Sequence, residues 1–558
     1  IFESKIDKIV YNAENDMNEG LNDATDVLRK APLLIVDLEG NVSLRGSNNI
    51  KFLVNGKAST FFSSDVSTAL GMIPAEEIKS IEVITSPGAK YDGEGDAGIV
   101  NIITKRKMID GYKSTVNGSF GTRVNKQSAN LSLGKGRFGI SARGSARYSW
   151  PREGEATFTR ENWDRIDNNG QKIGLKTLNE ISNTFSQWIG YGGSINMYYD
   201  INAYNGLLSD IRFGGRNTFS NDSTILNNIE DTSRYSYNSY LESSDINTYI
   251  EWSTDFTKKF ASNDKKELNI SFQIGGDLGD EDIRSSINEE NQYNTDYDEK
   301  EVEFTIQSDY THPFMQENKL EIGGKLINRF REIQSTTISN FEDYRSPKDI
   351  FNYKQQVAAS YISSQWKITN NIDLKTGIRY EHTIISGNWT SKAKEDIGNN
   401  YGNILPSLTI SKKYSKRETV KLTYNNRILR PGIRNINPYI LRNNNFSITE
   451  GNPKLTPANA QQLEFGYNKF GRKYQGSYYI YTKQTTDIIE SYARIKDSIT
   501  TNIFENIGSS TNYGFNYFGS LRLNKFNIRA GFNLYQYIGK GVIDDEEIEL
   551  TSPLLYSY

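Results

Sequence analysis

Few side chains in this sequence could carry out catalysis. The chain has no cysteine and two histidines, His312 and His382, which are far apart and each lie beside the end of a predicted strand. A His-based triad or a zinc site needs partner residues that nothing in the sequence points to, and no nucleophile elbow is present. We therefore expect no catalytic residue, no metal site, no cofactor and no enzymatic activity.

A glycine-rich segment at 86–98, SPGAKYDGEGDAG, is the next candidate for chemistry. Its carboxylates alternate along the chain: Asp92, Glu94 and Asp96. Such alternation suggests a calcium loop, but no bidentate glutamate follows at the required spacing, and the Gly-Lys-Ser/Thr ending of a phosphate loop is missing. We interpret the segment as a solvated turn. The residues expected to shape it are Pro87, Gly88, Tyr91 and Gly98.

The elements around these residues are amphipathic strands. FNIRAGFNLY, at 526–535, places Phe526 and Ile528 on one side and Asn527 and Arg529 on the other, because successive side chains of a strand point to opposite faces. The same alternation recurs in ELNISFQIGG, NIDLKTGIRYEH and ETVKLTYNN. In a long series of such strands, every apolar face must contact an apolar partner, either lipid or the apolar face of another sheet.

Composition narrows the choice of that partner. The chain has 558 residues, of which 36% are hydrophobic and 24% charged, and its net charge of -3 gives no argument for binding nucleic acid. No stretch approaches the roughly 18 apolar residues of a transmembrane helix. Strands of about 10 residues suit a tilted membrane crossing. We therefore predict a transmembrane β-barrel in contact with lipid, and the alternative is a soluble β-sandwich or propeller whose apolar faces meet each other.

Two regimes follow one another along the chain. From about residue 113 onward we count about 18 amphipathic strands, joined by short turns near 135 and 471 and by long polar loops such as 219–232 and 279–298. Short turns on one rim and long loops on the other are typical of transmembrane barrels. The preceding region is a compact α+β module. The predicted division is a linker at 1–25, an α+β domain at 26–107 and a barrel at 108–558.

Local signals give the α+β module some detail. Asn55 and Gly56, between two apolar runs, predict a tight hairpin. A helix is predicted over 65–73, with Ser63 or Ser64 as its N-cap.

Two blocks of sequence resemble a known family. LRKAPLLIVDLEGNVSLRGSNNIKFLVNGKAS and MIPAEEIKSIEVITSPGAKYDGEGDAGIVNIITKRK resemble the plug domain of TonB-dependent outer-membrane receptors, in wording closest to the outer-membrane β-barrel family abundant in Bacteroidetes. The block at 428–467 is similar to a barrel motif of that family. The matching motif residues are Arg430, Pro431, Asn437, Pro438, Gly451, Asn452, Pro453 and Leu455.

The resemblance implies a barrel of about 22 antiparallel strands with the plug in its lumen. Because only about 18 strands are counted, and Pro553 suits a closing strand poorly, we expect the barrel to be truncated at its C-terminal end. The family's plug-to-barrel lock matches Arg45, Gly46 and Glu82. An arginine and a carboxylate could exchange charge-assisted hydrogen bonds there, whereas the simpler interpretation is a pair of exposed strand charges.

By resemblance, the function is uptake of an unidentified ligand, such as an iron chelate, glycan or peptide, across the outer membrane of a Gram-negative bacterium. The implied partners are outer-membrane lipid, a TonB-type energy-transducing complex acting on a coupling segment upstream of Ile1, and a surface lipoprotein. One alternative is a plugged barrel that transports nothing and serves as a structural or assembly subunit. Another is a soluble adhesion protein. The ligand-binding residues are unknown at this stage.

Overall fold

The computed structural model of this chain has an α+β domain enclosed by a β-barrel. It describes residues 2–557, except for 16–22, 38–39, 45–46, 59–61, 63–65, 72, 74, 76–77, 96, 106–109, 167–171, 231–232, 289, 316, 340–345, 391–395, 438–439, 445–446, 472, 497–498, 524–525 and 544–545. Within these ranges, no helix is long and apolar enough to cross a membrane.

The N-terminal domain, called the plug below, is built on a six-stranded sheet of order β1-β2-β7-β8-β5-β6, and β3 pairs separately with β4. Two helices and a short 3-10 helix at Ala13–Asn15 accompany the strands. The elements are β1 (Phe2–Ser4), β2 (Ile9–Tyr11), α1 (Ala24–Leu28), β3 (Leu34–Val36), β4 (Val42–Leu44), β5 (Ile50–Val54), β6 (Lys57–Ala58), α2 (Val66–Gly71), β7 (Ile78–Ile84) and β8 (Gly98–Thr104).

The plug has an apolar core of the ordinary kind. Tyr11, Leu28, Leu70 and Ile81 are almost completely buried between the sheet and the two helices. Asp23 caps α1, since its carboxylate accepts hydrogen bonds from the backbone N–H groups of the first turn. The plug supplies most of this core, and Tyr249 and Tyr479 of the barrel wall pack into the same cluster.

Two sequence predictions about the plug change in the structure. The helix predicted over 65–73 is present as Val66–Gly71, and its proposed N-caps lie outside the described residues. Residues 2–4 and 9–11, predicted to be part of a linker, instead form β1 and β2, because their apolar side chains complete one edge of the plug sheet. The bounds 26–107 and 108–558 stay predictions.

In the part of the chain that the structure describes, nineteen strands form one antiparallel sheet that closes into a barrel around the plug. They are β9 (Gly111–Ser119), β10 (Val124–Lys135), β11 (Phe138–Ile166), β12 (Lys172–Asn202), β13 (Asn205–Glu230), β14 (Ser233–Phe260), β15 (Asn263–Ile287), β16 (Glu290–Phe314), β17 (Asn318–Ser339), β18 (Ser346–Thr369), β19 (Ile372–Trp389), β20 (Ile397–Ser415), β21 (Glu418–Leu429), β24 (Ala458–Phe470), β25 (Tyr474–Thr486), β28 (Ser509–Leu523), β29 (Phe526–Ile543), β30 (Glu546–Thr551) and β31 (Leu555–Ser557).

The strand number is close to the count of about 18 made from the sequence and lower than the 22 implied by the resemblance. β30 and β31 pair with successive parts of the same neighbour, β29, so together they occupy one place in the wall. Pro553 lies in the break between them, where its missing N–H removes a ladder hydrogen bond.

The two faces of the wall differ as the alternation predicts. In β19, Ile378 is 47% exposed and Tyr380 46%, whereas Arg379 and Glu381 are buried toward the lumen. In β29, Ile528 is exposed on the outside and Asn533 is buried inside. An apolar exterior and a polar interior are what a barrel needs in lipid.

The polar loops predicted at 219–232 and 279–298 are strands over almost their whole length. β13 continues to Glu230, and β15 and β16 pair through the predicted loop at 279–298. Strands of 25 to 31 residues, as in β12 and β15, are far longer than a membrane crossing of about 9–11 residues. These hairpins therefore extend well beyond the membrane on the rim opposite the short turns.

A second, smaller sheet joins two insertions of the barrel. It contains β22 (Ile440–Asn444), β23 (Ser447–Glu450), β26 (Ile489–Lys496) and β27 (Ile499–Asn506), in the order β22-β23-β27-β26, and a short helix, α3 (Ile433–Ile436), precedes it. We call it the insertion sheet. The strand counted near residue 500 belongs to this sheet and not to the barrel, a distinction that strand alternation cannot make.

Candidate functional site at the contact of plug and barrel

The segment between β7 and β8 is the part of the plug that contacts the barrel most closely. The N–H of Ile428, in β21, donates to the carbonyl of Gly93 at 2.9 Å, and the N–H of Gly93 donates to Oε1 of Glu381 at 2.9 Å. Gly93 permits this approach, because a Cβ there would overlap Leu405 and crowd the Glu381 carboxylate. The barrel wall and the plug thus share backbone hydrogen bonds.

Arg427 forms a second set of hydrogen bonds with the same segment. Its guanidinium donates to the carbonyl oxygens of Gly95 at 2.6 Å and of Asp92 at 2.8 Å, and also to that of Glu94. A rigid fork of donors suits a set of converging carbonyl oxygens better than a lysine would. The turn is therefore held in one conformation by the barrel.

Ion pairs connect the same plug segment to charged side chains of the barrel wall. Asp92 pairs with Lys325 at 2.7 Å and with Arg379 at 3.2 Å. Glu381, which is 1% exposed, pairs with Arg379 at 2.6 Å and with Arg430 at 2.5 Å. Each buried charge has a partner of opposite sign, as it must in a site that water reaches poorly.

Neighbouring cations, from the barrel and from the plug strand β5, control the ionisation of the plug carboxylates. Burial alone would raise the pKa of Glu94, but Lys51, Arg430 and Arg329 together lower that pKa to about 2. Burial would likewise raise the pKa of Asp92, and Lys325 and Arg379 hold it well below its usual range. Both carboxylates are therefore negatively charged at any physiological pH.

Other ion pairs attach the plug at separate places. Asp7 pairs with Lys375 at 2.6 Å, Asp23 pairs with Lys126 at 2.5 Å and with Arg147 at 3.6 Å, and Lys57 pairs with Asp255. On the remaining side, Gln462 donates to Ser86 at 3.2 Å and Thr85 donates to Glu464 at 3.1 Å. These attachments are polar, and polar contacts can be exchanged for water.

Glu82 is the lock candidate that the structure describes, and its described partners are plug residues. Glu82 is buried inside the plug, where it pairs with Lys8 at 2.7 Å and accepts a hydrogen bond from Asn101 at 2.8 Å. Arg45 and Gly46 lie outside the described residues. The described partners of Glu82 therefore tie plug strands to one another.

The motif at 428–467 contacts both the plug and the insertion sheet. Arg430 reaches Glu381 and lies 3.8 Å from Glu94, so the start of the motif contacts the plug. Further along, Asn452 donates to the carbonyl of Phe504, in the insertion sheet, at 3.0 Å.

The middle of the motif is tightly packed. Gly451 lies so close to the backbone of Asn437 that a Cβ would overlap it, and its N–H donates to the Asn437 carbonyl at 3.1 Å. Leu455 is 2% exposed in an apolar cluster that includes Ile436 and Trp389. Pro431 is buried, Pro453 lies beside Asn452, and Pro438 is outside the described residues. The motif is therefore a structural link between plug, wall and insertion sheet.

The predicted turn residues differ in what they do. Asn55 and Gly56 form the predicted hairpin with φ angles of 53° and 85°, and Gly98 has a φ of 130° that favours glycine. Pro87, Gly88 and Tyr91 belong to the segment that meets the barrel. Interpreting this segment as a solvated turn is wrong, since Asp92 and Gly93 are held by β17, β19 and β21.

The histidines lie within strands. His312, in β16, is hydrogen-bonded to the hydroxyl of Tyr310 at 3.1 Å, and His382, in β19, stacks on Tyr380. In the part of the chain that the structure describes, no three or more histidine and carboxylate side chains are grouped to hold a metal ion.

Sequence reasoning missed the residues that make the contact: Asp7, Asp23, Lys325, Lys375, Arg379, Glu381 and Arg427. A partial signal exists. Charges at lumen-facing positions of β19, next to apolar positions that face lipid, mark residues that need an internal partner. Which plug residue supplies that partner is not readable from the strand itself.

Comparison with known proteins identifies the class. Residues 258–553 match the outer membrane protein beta-barrel family, and residues 3–100 match the TonB-dependent receptor plug domain. Since the first match covers more than half of the chain, the protein belongs to the outer membrane protein beta-barrel family. Its location is accordingly the outer membrane of a Gram-negative bacterium.

One curated relative is a probable TonB-dependent siderophore receptor, PirA of Acinetobacter baumannii, which is 23% identical over 499 residues. The match covers 80% of this chain and 61% of the relative, so the chain spans about three fifths of the relative's length.

Solved structures agree on the fold. The ferric citrate transporter FecA in its unliganded form has a TM-score of 0.66 at 14% identity, covering 96% of this chain and 78% of its own. The copper transporter OprC has a TM-score of 0.63 at 14% identity, covering 97% of this chain and 80% of its own. The siderophore receptor PirA from Pseudomonas aeruginosa has a TM-score of 0.58 at 15% identity, covering 100% and 91%.

Proposed function

We propose that this protein is a TonB-dependent receptor that imports a ligand across the outer membrane. The observation that carries the proposal is a plug with its own apolar core that is attached to the lumen of the barrel by polar contacts. Such contacts can be broken and remade without unfolding the barrel. A plug of this kind closes the lumen at rest and can move when force is applied.

The position of the plug's N-terminal strands supports coupling to an energy source in the periplasm. Short turns face the periplasm in barrels of this class. Lys375 and Lys421, which contact Asp7 and the carbonyl of Lys5, lie a few residues from the short turns at 370–371 and 416–417. A TonB-type complex pulling from the periplasm on the N-terminal segment would therefore act on the Asp7–Lys375 pair early.

For the ligand, we propose an iron chelate as the first class to test, with a glycan or a peptide as the others. The names of the relatives support this choice, since they describe receptors or transporters for siderophores, ferric citrate and copper. The ligand would bind on the outer face of the plug, below the tall hairpins. A surface lipoprotein partner stays a prediction.

A reversible tether tests the proposal directly. A Cβ placed on Gly377 would lie 2.8 Å from the Cβ of Ala89, so a cysteine pair at these positions could form a disulfide after a shift of about 1 Å. The chain has no cysteine of its own, which makes the pair unique.

Cells carrying Ala89→Cys with Gly377→Cys, and each single variant as a control, would be given radioactive iron in defined chelates. We expect uptake to stop when the pair is oxidised and to return on reduction, with the single variants unaffected. Uptake that continues in the oxidised double variant would contradict a moving plug. Absence of uptake for every chelate, glycan and peptide tried in the reduced protein would favour a structural subunit that transports nothing.

We also propose that Arg45 and Gly46 act with Glu82 to hold the plug in place. The burial of Glu82 between plug strands supports a structural role for the carboxylate. Arg45→Ala should loosen the plug and raise permeability to large antibiotics. Unchanged permeability at normal expression would count against the lock.

A further inference from the structure

A cavity of about 800 Å³ lies between the plug and the barrel wall, toward the rim with the short turns. The plug contributes its β1–β2 hairpin, β5 and the segment after β7, and the wall contributes β16 to β21. Its volume is sufficient for a small polar molecule with its hydration water. The plug and the barrel wall therefore line one cavity together.

Positive charge prevails in this cavity. Among its described lining residues, lysines outnumber carboxylates by nine to seven. Most of the carboxylates are already used in ion pairs, such as Asp7 with Lys375, Glu82 with Lys8 and Asp92 with Lys325. The surplus charge consequently falls on lysines that have no such partner in the lining.

Lys421 is the clearest of these. It is 8% exposed, and its ammonium donates to the backbone carbonyl of Lys5. The carboxylates whose charges act on it are Asp7, which is already paired with Lys375, and Glu464. A buried ammonium bound to a neutral carbonyl still needs a negative charge, because burial without a counter-charge is unfavourable.

A second excess of positive charge surrounds Glu321, in β17. Glu321 is 7% exposed and has three lysines around it, Lys319, Lys375 and Lys90. Only Lys319 is within ion-pair distance of it in the described structure, at 3.2 Å, and Lys375 is engaged by Asp7. Lys90 comes from the plug segment that docks on the barrel and faces the same cavity.

We infer that this cavity is a binding site for a compact anion that carries two or more negative charges on phosphate or carboxylate groups. Lys421 and Lys90, one from the barrel and one from the plug, are lysines of the lining that form no direct ion pair in the described structure. Lysine suits this role, since its ammonium has three donors on a flexible stem and binds anions as a point charge. The site does not depend on transport, because it is present with the plug at rest.

The test uses the full chain, purified in detergent, and inorganic pyrophosphate as the probe. Isothermal titration at pH 7.5 should show saturable binding to one site, weakened by added salt. Lys421→Gln and Lys90→Gln should each raise Kd at least tenfold. Lys540→Gln is the matched control, because Lys540 is not part of the cavity lining, is 66% exposed and pairs with Glu549. It should leave Kd unchanged.

One further variant separates charge from damage to the fold. Asp7→Asn removes a carboxylate from the lining and frees Lys375, so it should lower Kd, whereas structural damage would raise it. A heat-dependent mobility shift on gels checks that each barrel is folded. Absence of saturable binding, equal Kd values in all variants, or weaker binding in Asp7→Asn would each overturn the inference.

Discussion

Ile81, at the centre of the plug sheet, and Arg379, in the middle of a barrel strand, are both shielded from solvent, with exposures of 0% and 3%. Ile81 is surrounded by apolar side chains in a core of the ordinary kind, whereas Arg379 lies among carboxylates and its neighbour Ile378 faces outward. The two regions therefore bury opposite kinds of side chain. The plug buries apolar side chains away from water, whereas the barrel buries polar side chains in its lumen, away from lipid. Where the two meet, the plug must present polar groups to the wall.

The largest effect should come from breaking the charge cluster of the wall. Glu381→Gln leaves Arg379 and Arg430 without their shared carboxylate, and removal of one partner from a buried ion pair costs about 3–5 kcal/mol. We expect the plug to detach more readily, measured as faster hydrogen exchange at 86–95 and higher permeability to large antibiotics. Glu332→Gln, in an exposed pair with Lys300, is the control, with an effect within about 1 kcal/mol. Equal effects of the two variants would show that the cluster does not hold the plug.

The plug core should respond to a different kind of change. Ile81→Ala removes buried methyl groups and costs the plug about 2–5 kcal/mol, because the cavity left behind collapses only in part. The barrel should keep its heat-dependent mobility shift while the plug becomes sensitive to protease. Simultaneous loss of both signals would mean that plug and barrel fold as one unit, which would break the comparison.

The outer, lipid-facing surface of the barrel can be tested by placing charges on it. We expect Ile378, close to a short turn, to face the lipid, so Ile378→Arg should cost about 2–4 kcal/mol. Leu278 is exposed farther along its strand from the short turns, and we expect the same change there to lie above the membrane and cost close to nothing. Folding into lipid vesicles, followed by denaturant, would measure both. A similar loss at Leu278 would move the predicted membrane boundary up the hairpins.

The smallest effect concerns acidity. The folded-state pKa of Glu94 is about 2, below its ordinary value of 4.5, so its contribution to plug attachment is complete above about pH 4.5 and is lost as the pH falls toward 2. Asp7 and Asp92, whose pKa values are also lowered, act in the same direction. Hydrogen exchange of the plug against pH measures this, and Glu94→Gln should flatten the profile. Loosening that begins above pH 6 would contradict it.

Much of this architecture could be predicted from the sequence, because alternation is a local property. The facing of Ile528 and Asn533, the hairpin at Asn55 and the helix at 66–71 all follow from residues within a few positions of each other. The tall hairpins were not predicted, because their residues are asparagine, aspartate and serine, which are typical of loops. Cross-strand hydrogen bonds with the neighbouring hairpins hold them as strands instead.

The candidate site could not be predicted, for a different reason. Asp92 and Arg379 are 287 residues apart, and Gly93 and Glu381 are 288 apart. The sequence around the plug turn does not indicate which residues of β19 it will contact. Glycine and carboxylate in SPGAKYDGEGDAG are consistent with a solvated turn until the barrel wall is placed beside them.

The hairpin of β1 and β2 gives the plug a direction of mechanical weakness. β1 pairs with β2 from Phe2 opposite Tyr11 to Ser4 opposite Ile9, and β2 then pairs with β7 over three residues. A force applied at Phe2 unzips these pairs one after another, each step breaking interactions worth about 1 kcal/mol, whereas a force along the strands would shear all of them together. The plug should therefore yield in a series of small steps at low force when it is pulled from this end.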